Sequence, residues 1–181
     1  MAGLVGGRVV SERTPAAFLP YLDRAREFED AARQLIARPD LKAPALHLIA
    51  HGFELTFKSV LLHSGRSERE LRAAPFGHDL LSMWNREELS SLRQYVPEIA
   101  ASVTDDAITS GIYLHPRAFS SSRPADLFLE QIELLSELHS RGSDYVLRYP
   151  AGNPIVPMPP FLGDVLGCLI DVVRERFLQR S

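Results

Sequence analysis

The stretch that decides the fold runs from Pro44 to Gly65 and reads PALHLIAHGFELTFKSVLLHSG. Leucine, isoleucine, valine and phenylalanine fall on nearly every side of a helix drawn through these residues. A helix that is apolar on most faces is typical of the centre of a bundle. Proline near the start and glycine just past the end are usual boundary residues of helices. The sequence therefore predicts a central helix that stops at about Ser64.

Five further segments carry apolar residues at the three- and four-residue spacing of amphipathic helices. They are predicted at about 15–37, from Asp79 through Trp84, from Pro97 through Ile108, from Pro124 to Gly142, and from Pro160 to about Arg180. Thr14 resembles an N-cap of the first helix, and Pro20 can delay its first regular turn. The stretch 87–96 either continues the helix before it or bends away.

Polar and proline-rich segments separate these helices. Residues 66–78 are predicted as a polar connector and residues 110–124 as a loop. Residues 149–160 hold five of the 13 prolines and predict an extended strap across the bundle. Strand-like alternation is confined to the short runs 8–11 and 145–149. The fold class is therefore all-α, a bundle of five to six helices, with an N-terminal tail at 1–14 and a single domain at 15–181.

Composition excludes several classes of protein. With 181 residues, 45% of them hydrophobic and 24% charged, the chain is sized and composed like one globular domain. A net charge of −3 gives no global basic field for nucleic acid, and one cysteine excludes an internal disulfide and a zinc ribbon. No P-loop, dinucleotide or nucleophile-elbow motif occurs. No apolar run approaches the length of a membrane span, so we expect a cytoplasmic protein with no membrane partner.

A polar stripe runs along the otherwise apolar central helix. It consists of His47, His51, Glu54 and Lys58, whose steps of four, three and four residues place them on one face. Glu54 and Lys58 stand in the favourable order for an ion pair. Two interpretations stay open: a polar groove or dimer seam lined by these groups, or the solvated edge of an amphipathic helix.

The two histidines of this stripe raise the question of a metal. His47 and His51 have the spacing that suits a shared ion. The glutamate of the H-E-x-x-H pattern is missing, however, and no third ligand is evident nearby in sequence beyond Glu54. No metal ligand and no cofactor is therefore assigned.

The connector carries a second candidate pair, Arg72 and His78, with five residues between them. An arginine can hold a phosphate and its developing charge, and a histidine can move the proton of a 2′-hydroxyl or of the leaving oxygen. Such a pair would serve metal-free RNA cleavage. In the structural alternative, Asp79 caps the next helix, His78 packs beside it and Arg72 is a surface charge. Spacing alone favours the structural alternative.

Two other residues are singled out. Cys168 lies on an apolar helical face between Gly167 and Leu169 and is predicted to be a buried structural thiol rather than a nucleophile. Arg148 precedes the proline-rich strap. It is expected either to line the same groove as the polar stripe or to lie at the surface.

The run 51–62, HGFELTFKSVLL, followed by Gly65 and by Gly77-His78-Asp79-Leu80, resembles bacterial HEPN-domain proteins. In those proteins a central helix carries a glutamate and a lysine one turn apart, ends near a glycine, and precedes a Gly-His-Asp-Leu start to the next helix. The segment Leu147-Arg148-Tyr149-Pro150 also resembles one in such proteins. The strong part of the resemblance covers about residues 45–85, under a quarter of the chain.

The resemblance implies an antiparallel helical bundle that is usually a homodimer. Many HEPN proteins are metal-independent endoribonucleases whose groove forms across the dimer. Their signature, an arginine followed after four to six residues by a histidine, is matched by Arg72 and His78. Two features depart from the family: its signature usually lies at the start of a later helix, and Ala73 stands where a polar residue is common.

Two functions follow as expectations. The first is an RNA-binding protein or metal-independent endoribonuclease of a defence or toxin–antitoxin type, with catalytic Arg72 and His78 and a groove lined by His51, Glu54, Lys58 and Arg148. The alternative is a non-catalytic helical dimerisation module that binds a protein or a small ligand. The expected partners are a second copy of the chain, RNA or a cognate protein.

Overall fold

The protein is described from a computed structural model that covers residues 18–73, 76–111, 123–140, 147 and 156–178. All regular structure within those ranges is helical, as predicted. The helices are α1 Leu19–Ile36, α2 Lys42–His63, α3 Glu68–Arg72, α4 Leu80–Trp84, α5 Ser90–Arg93, α6 Val96–Ser110, α7 Pro124–His139 and α8 Pro159–Leu178. Five of these have 15 residues or more and form the bundle, and the other three are single turns.

Helix α2 is the central helix that its apolar composition predicts. It contacts α1, α4, α7 and α8, and it buries residues on most of its faces. The chain leaves it through Gly65, whose φ of 100° is a left-handed conformation that glycine adopts without strain. Because α2 lies in the middle, each buried polar side chain on it needs a hydrogen-bond partner, either on α2 itself, as for Thr56 and Ser59, or on a neighbouring element.

The connector at 66–78 is more ordered than predicted, because it contains α3. Ser67 and Glu70 form a capping box, in which the Ser67 side chain accepts from the Glu70 amide and the Glu70 carboxylate accepts from the Ser67 amide. The prediction of a polar connector did not include this helical turn, which the Ser-x-x-Glu signal at its start indicates. Asp79 caps α4 as predicted, accepting from the amide of Ser82.

After α4 the chain bends away rather than continuing the same helix. A single 3-10 turn at Glu87–Leu89 leads into α5 and then α6. Helix α6 ends at Gly111, which adopts a φ of 64°. The tail at 1–14, most of the 110–124 loop, the strand-like runs except residue 147, and most of the proline-rich strap lie outside the described residues.

One hydrophobic cluster extends through all five long helices, with the rings of Phe53, Phe57, Trp84, Phe128 and Phe161 at its centre. Cys168 does not belong to it: the thiol is exposed, so the prediction of a buried thiol was wrong. The reason is its register on α8, where Cys168 shares an outward stripe with Asp164 and Asp171, one turn away on either side. None of the helices in the described ranges is long and apolar enough to cross a membrane.

Candidate functional site

The polar stripe of α2 is not a solvated edge, because its second half is buried. Glu54 is 5% exposed and Lys58 9% exposed, and their predicted ion pair forms with 2.6 Å between Lys58 Nζ and Glu54 Oε1. The stripe faces the C-terminal end of α7 and the turn that precedes α4. A buried carboxylate is therefore the centre of the candidate site.

Three histidines surround the second oxygen of this carboxylate. Glu54 Oε2 lies 2.9 Å from His78 Nδ1, 3.1 Å from His139 Nε2 and 3.7 Å from His51 Nδ1. His139 is the last residue of α7 and is buried, whereas the His78 side chain is 40% exposed. The site thus joins the central helix, the end of α7 and the turn before α4, and opens outward at His78.

The protonation of this cluster follows from the charge on Glu54. Burial by itself would raise the pKa of Glu54, but the hydrogen bond from His139 and the charge of Lys58 hold that pKa well below its usual value. An ionised carboxylate can only accept hydrogen bonds. The N–H groups of His78 Nδ1 and His139 Nε2 therefore donate hydrogen bonds to Glu54 Oε2. The remaining nitrogen of the half-exposed His78 ring is Nε2.

The turn that presents His78 is fixed at both ends. Phe76 is buried in the core, and Gly77 adopts a φ of 22°, a conformation that L side chains rarely adopt. Beyond His78, Asp79 caps α4 and accepts a weak hydrogen bond from Ser136 of α7 at 3.4 Å, while Ser136 accepts from the amide of Leu81 at 3.0 Å. These contacts hold the turn against α7, next to His139.

A fourth histidine, His47, extends the cluster of imidazoles. The ring centroids of His47 and His51 are 4.5 Å apart, and His139 lies 4.8 Å from His51 and 6.0 Å from His47. Burial, followed by the charge of His139, lowers the pKa of His51 to about 4. The His51 ring also stacks on Phe28 of α1. At neutral pH His51 is therefore uncharged.

Two groups of side chains in this region have the proximity that a metal ion requires. The ligand atoms of His47, His51 and His139 lie within 4.8 Å of one another, as do those of Glu54, His78 and His139. The first group is made only of imidazoles. In the second group, Glu54 also forms the ion pair with Lys58.

Arg72 and His78 have different partners. Arg72 is 78% exposed at the end of α3 and pairs with Glu68 at 2.9 Å, as the surface interpretation predicts. His78 does more than pack beside the cap, because it is held by Glu54 from α2. The catalytic roles of both residues stay predictions, and Arg148 lies outside the described residues.

His139 is the functional residue that the sequence analysis missed. It follows Glu54 by 85 positions, and nothing local in its neighbourhood marks it as a partner of α2. One signal was present: the apolar stripe of α7 places Leu135 and Leu138 inward, and the helical period puts residue 139 beside them. A histidine on that face needs a buried partner, and the ionised Glu54 provides one.

Comparisons with protein-family models, with curated proteins and with solved structures found no match to this chain. The likeness to HEPN-domain proteins therefore rests on the residues quoted above.

Proposed function

We propose that this protein is an HEPN-like endoribonuclease or RNA-binding protein of a defence or toxin–antitoxin type, in which His78 transfers protons. The observation that carries the proposal is the pairing of a half-exposed imidazole with a buried, ionised carboxylate, at 2.9 Å from His78 Nδ1 to Glu54 Oε2. A carboxylate on one ring nitrogen fixes the tautomer and the orientation of the imidazole, which leaves the other nitrogen free of a proton. Glu54 is a positioning residue in this scheme.

The proposed reaction is transesterification of RNA. Nε2 of His78 removes the proton of the 2′-hydroxyl, and the 2′-oxygen attacks phosphorus while the bond from phosphorus to the 5′-oxygen breaks. The proton is then returned to the leaving 5′-oxygen. The products are a 2′,3′-cyclic phosphate and a 5′-hydroxyl, and no oxidant or reductant is required. Correctly placed acid–base catalysis of this kind contributes about 10²–10⁴ in rate.

Arg72 is the proposed phosphate ligand. Its ion pair with Glu68 is solvent-exposed, and such pairs are worth about 0–1 kcal/mol. Exchanging Glu68 for an RNA phosphate therefore costs little. Lys58 is less suited to this role, because its charge is already committed to the buried Glu54 at 2.6 Å. The positive charge that meets the RNA must come from residues outside the Glu54–Lys58 pair.

The proposal includes a homodimer in the cytoplasm, with a cognate protein as a further partner. In the HEPN-like arrangement the groove forms across two copies, so His78 of each copy would open onto the seam. Light scattering coupled to size exclusion should give twice the monomer mass of 20.2 kDa. If the protein were a monomer at all concentrations, a groove shared between two copies would be excluded.

The test of catalysis is incubation of untagged protein with single-stranded RNA in the presence of EDTA. Wild type should cleave, and His78→Ala should lose at least about 100-fold in rate. His63→Ala is the matched control, because His63 lies on α2 beside Phe18, away from Glu54, and should cleave like wild type. Equal cleavage by wild type and His78→Ala, or none by either, would defeat the nuclease proposal.

Glu54 needs a separate readout, because its substitution also disturbs the core. Glu54→Gln keeps the side-chain volume and should lower kcat while leaving KM close to wild type, since it acts through His78 rather than on the RNA. A change confined to KM would contradict a positioning role.

A non-catalytic module that binds a protein or small ligand is the second candidate, and one observation favours it. Both oxygens of Glu54 are already hydrogen-bonded, to Lys58, His78 and His139, as in a structural network. In that case RNA would remain intact, and His78→Ala would change the unfolding midpoint without changing any cleavage.

A further inference from the structure

We propose that His47, His51 and His139 form a binding site for a divalent transition-metal ion of the zinc class. The site shares His139 with the Glu54–His78 cluster and does not include His78. It goes beyond the proposed function, which requires no ion, and its test is independent of RNA cleavage.

The geometry carries this proposal. One ligand nitrogen from each of the three histidines lies within 4.8 Å of the other two. Tetrahedral zinc with bonds of about 2.0–2.1 Å needs ligand nitrogens about 3.3 Å apart. Three nitrogens at 4.8 Å would place an ion in their plane about 2.8 Å from each, so each ring has to move inward by less than about 1 Å. That movement is within the reach of small side-chain rotations.

The positions of the three histidines on their helices also support the proposed metal site. His47 and His51 are one turn apart on α2, which aligns two imidazoles on one face, and His139 approaches from the end of α7. Reactive zinc sites have three protein ligands, whereas closed structural sites have four. Two elements that already pack together supply all three rings, so binding does not require refolding.

The chemistry of the ligands selects the class of ion. Imidazole nitrogen suits zinc, nickel, copper and cobalt, whereas magnesium and calcium require oxygen ligands. Only an unprotonated imidazole nitrogen can bind such an ion.

Glu54 fits the role of an outer partner of the ion. Its Oε2 accepts from His139 and lies 3.7 Å from His51 Nδ1. A carboxylate that holds a metal-binding histidine orients the ring and partly balances the charge of the ion. The buried carboxylate of Glu54 thereby lies next to His78 and to two of the proposed metal ligands, His51 and His139.

The test is zinc titration of untagged, chelator-treated full-length protein by calorimetry, with magnesium as the negative control. One zinc per chain should bind, and cobalt should give the visible absorption of a tetrahedral site. His47→Gln and His51→Gln should each weaken zinc binding by about tenfold or more. His63→Gln is the matched control on the same helix and should bind like wild type.

Neither His47 nor His51 is fully buried, so both variants are expected to fold, and circular dichroism checks this. Wild type that binds zinc no more tightly than His47→Gln would overturn the proposal. So would binding that survives in His47→Gln and is lost in His78→Gln, because that result places the ion at Glu54, His78 and His139 instead. RNA cleavage that fails while zinc still binds would count against the nuclease alone.

Discussion

At the scale of single residues, Glu54 determines the chemistry of this protein. It is a charged group near the centre of the bundle, and its ionisation is favoured only because three donors converge on it. Each donor comes from a different part of the fold: Lys58 from α2 itself, His78 from the turn before α4 and His139 from the end of α7. Removing any one of them leaves a buried negative charge with fewer hydrogen bonds.

Lys58→Met tests how much the buried ion pair between Lys58 and Glu54 contributes to stability. Methionine retains the length of the side chain but removes the charge that lies 2.6 Å from Glu54. We expect the free energy of unfolding to fall by about 3 kcal/mol, because breaking a buried pair leaves the other charge uncompensated. Urea unfolding followed by circular dichroism measures the change.

The control is the double variant Glu54→Gln with Lys58→Met. Glutamine carries no charge that needs a partner, so the double variant should be more stable than Lys58→Met alone. If the two variants were equally unstable, the loss would come from packing of the lysine stem and not from the buried carboxylate.

Acidification should destabilise the protein, beginning near pH 6.5. His51 has a pKa of about 4 in the folded protein against 6.5 for an ordinary histidine. Between those values the unfolded chain takes up a proton that the folded one does not, so stability falls as pH falls from 6.5 towards 4. Glu54 acts in the same direction at lower pH, because its pKa is also lowered. Stability from both groups is fully present only above about pH 6.5.

The measurement is the melting temperature in EDTA at pH 7.5 and at pH 5. We expect a lower value at pH 5, and a smaller difference between the two for His51→Gln, which cannot take up the proton. An unchanged difference in His51→Gln would show that His51 does not titrate in the way its burial indicates.

At the scale of elements, two close approaches hold α8 in place. Gly52 of α2 faces Leu166 of α8, and a Cβ added to Gly52 would lie 2.5 Å from a methyl group of Leu166. On the other side, the buried Glu29 of α1 accepts from Arg26 and Arg33, which in turn reach Asp171 and Asp164 on α8. Helix α8 is thus held by packing on one side and by a chain of ion pairs on the other.

The effect of Gly52→Ala on the free energy of unfolding should change sign with the residue at position 166. In wild type, overpacking against the buried Leu166 costs about 1–3 kcal/mol, more than the gain of about 1 kcal/mol from helix propensity. In a Leu166→Ala background the clash is absent, so the same substitution should stabilise by up to about 1 kcal/mol. Urea unfolding of the four proteins measures both effects. Equal destabilisation in both backgrounds would show that the contact with Leu166 is not its cause.

The sequence predicted elements better than it predicted their partners. Apolar periodicity, terminal prolines and glycines located the five long helices to within a few residues, because those signals are local. The four polar positions of α2 could be placed on one face, but whether that face met water or protein depended on α7 and on the turn at 76–79. His139 was missed for the same reason, since its partner Glu54 lies 85 positions away in the chain.

At the scale of the whole molecule, the described helices share one hydrophobic cluster rather than two separate cores. Trp84 occupies a central place in it, at a ring-centroid distance of 5.4 Å from both Phe57 of α2 and Phe128 of α7. The candidate site is built on α2, α7 and the turn that leads into α4, the helix that carries Trp84. Local opening that separates α7 from α2 would therefore dismantle the carboxylate cluster and the environment of the tryptophan together.

This arrangement makes the chain's single tryptophan a reporter of the site as well as of the core. We expect tryptophan fluorescence and the circular dichroism of all helices to give the same urea midpoint, because a core shared by the long helices unfolds as one cooperative unit. Lys58→Met, which weakens the cluster, should lower both midpoints by the same amount. A fluorescence midpoint that falls below that of the helices in this variant would mean that α4 and α7 detach while α1, α2 and α8 stay folded. The single-domain prediction would then be wrong, and the site would sit at the boundary between two independently folding parts.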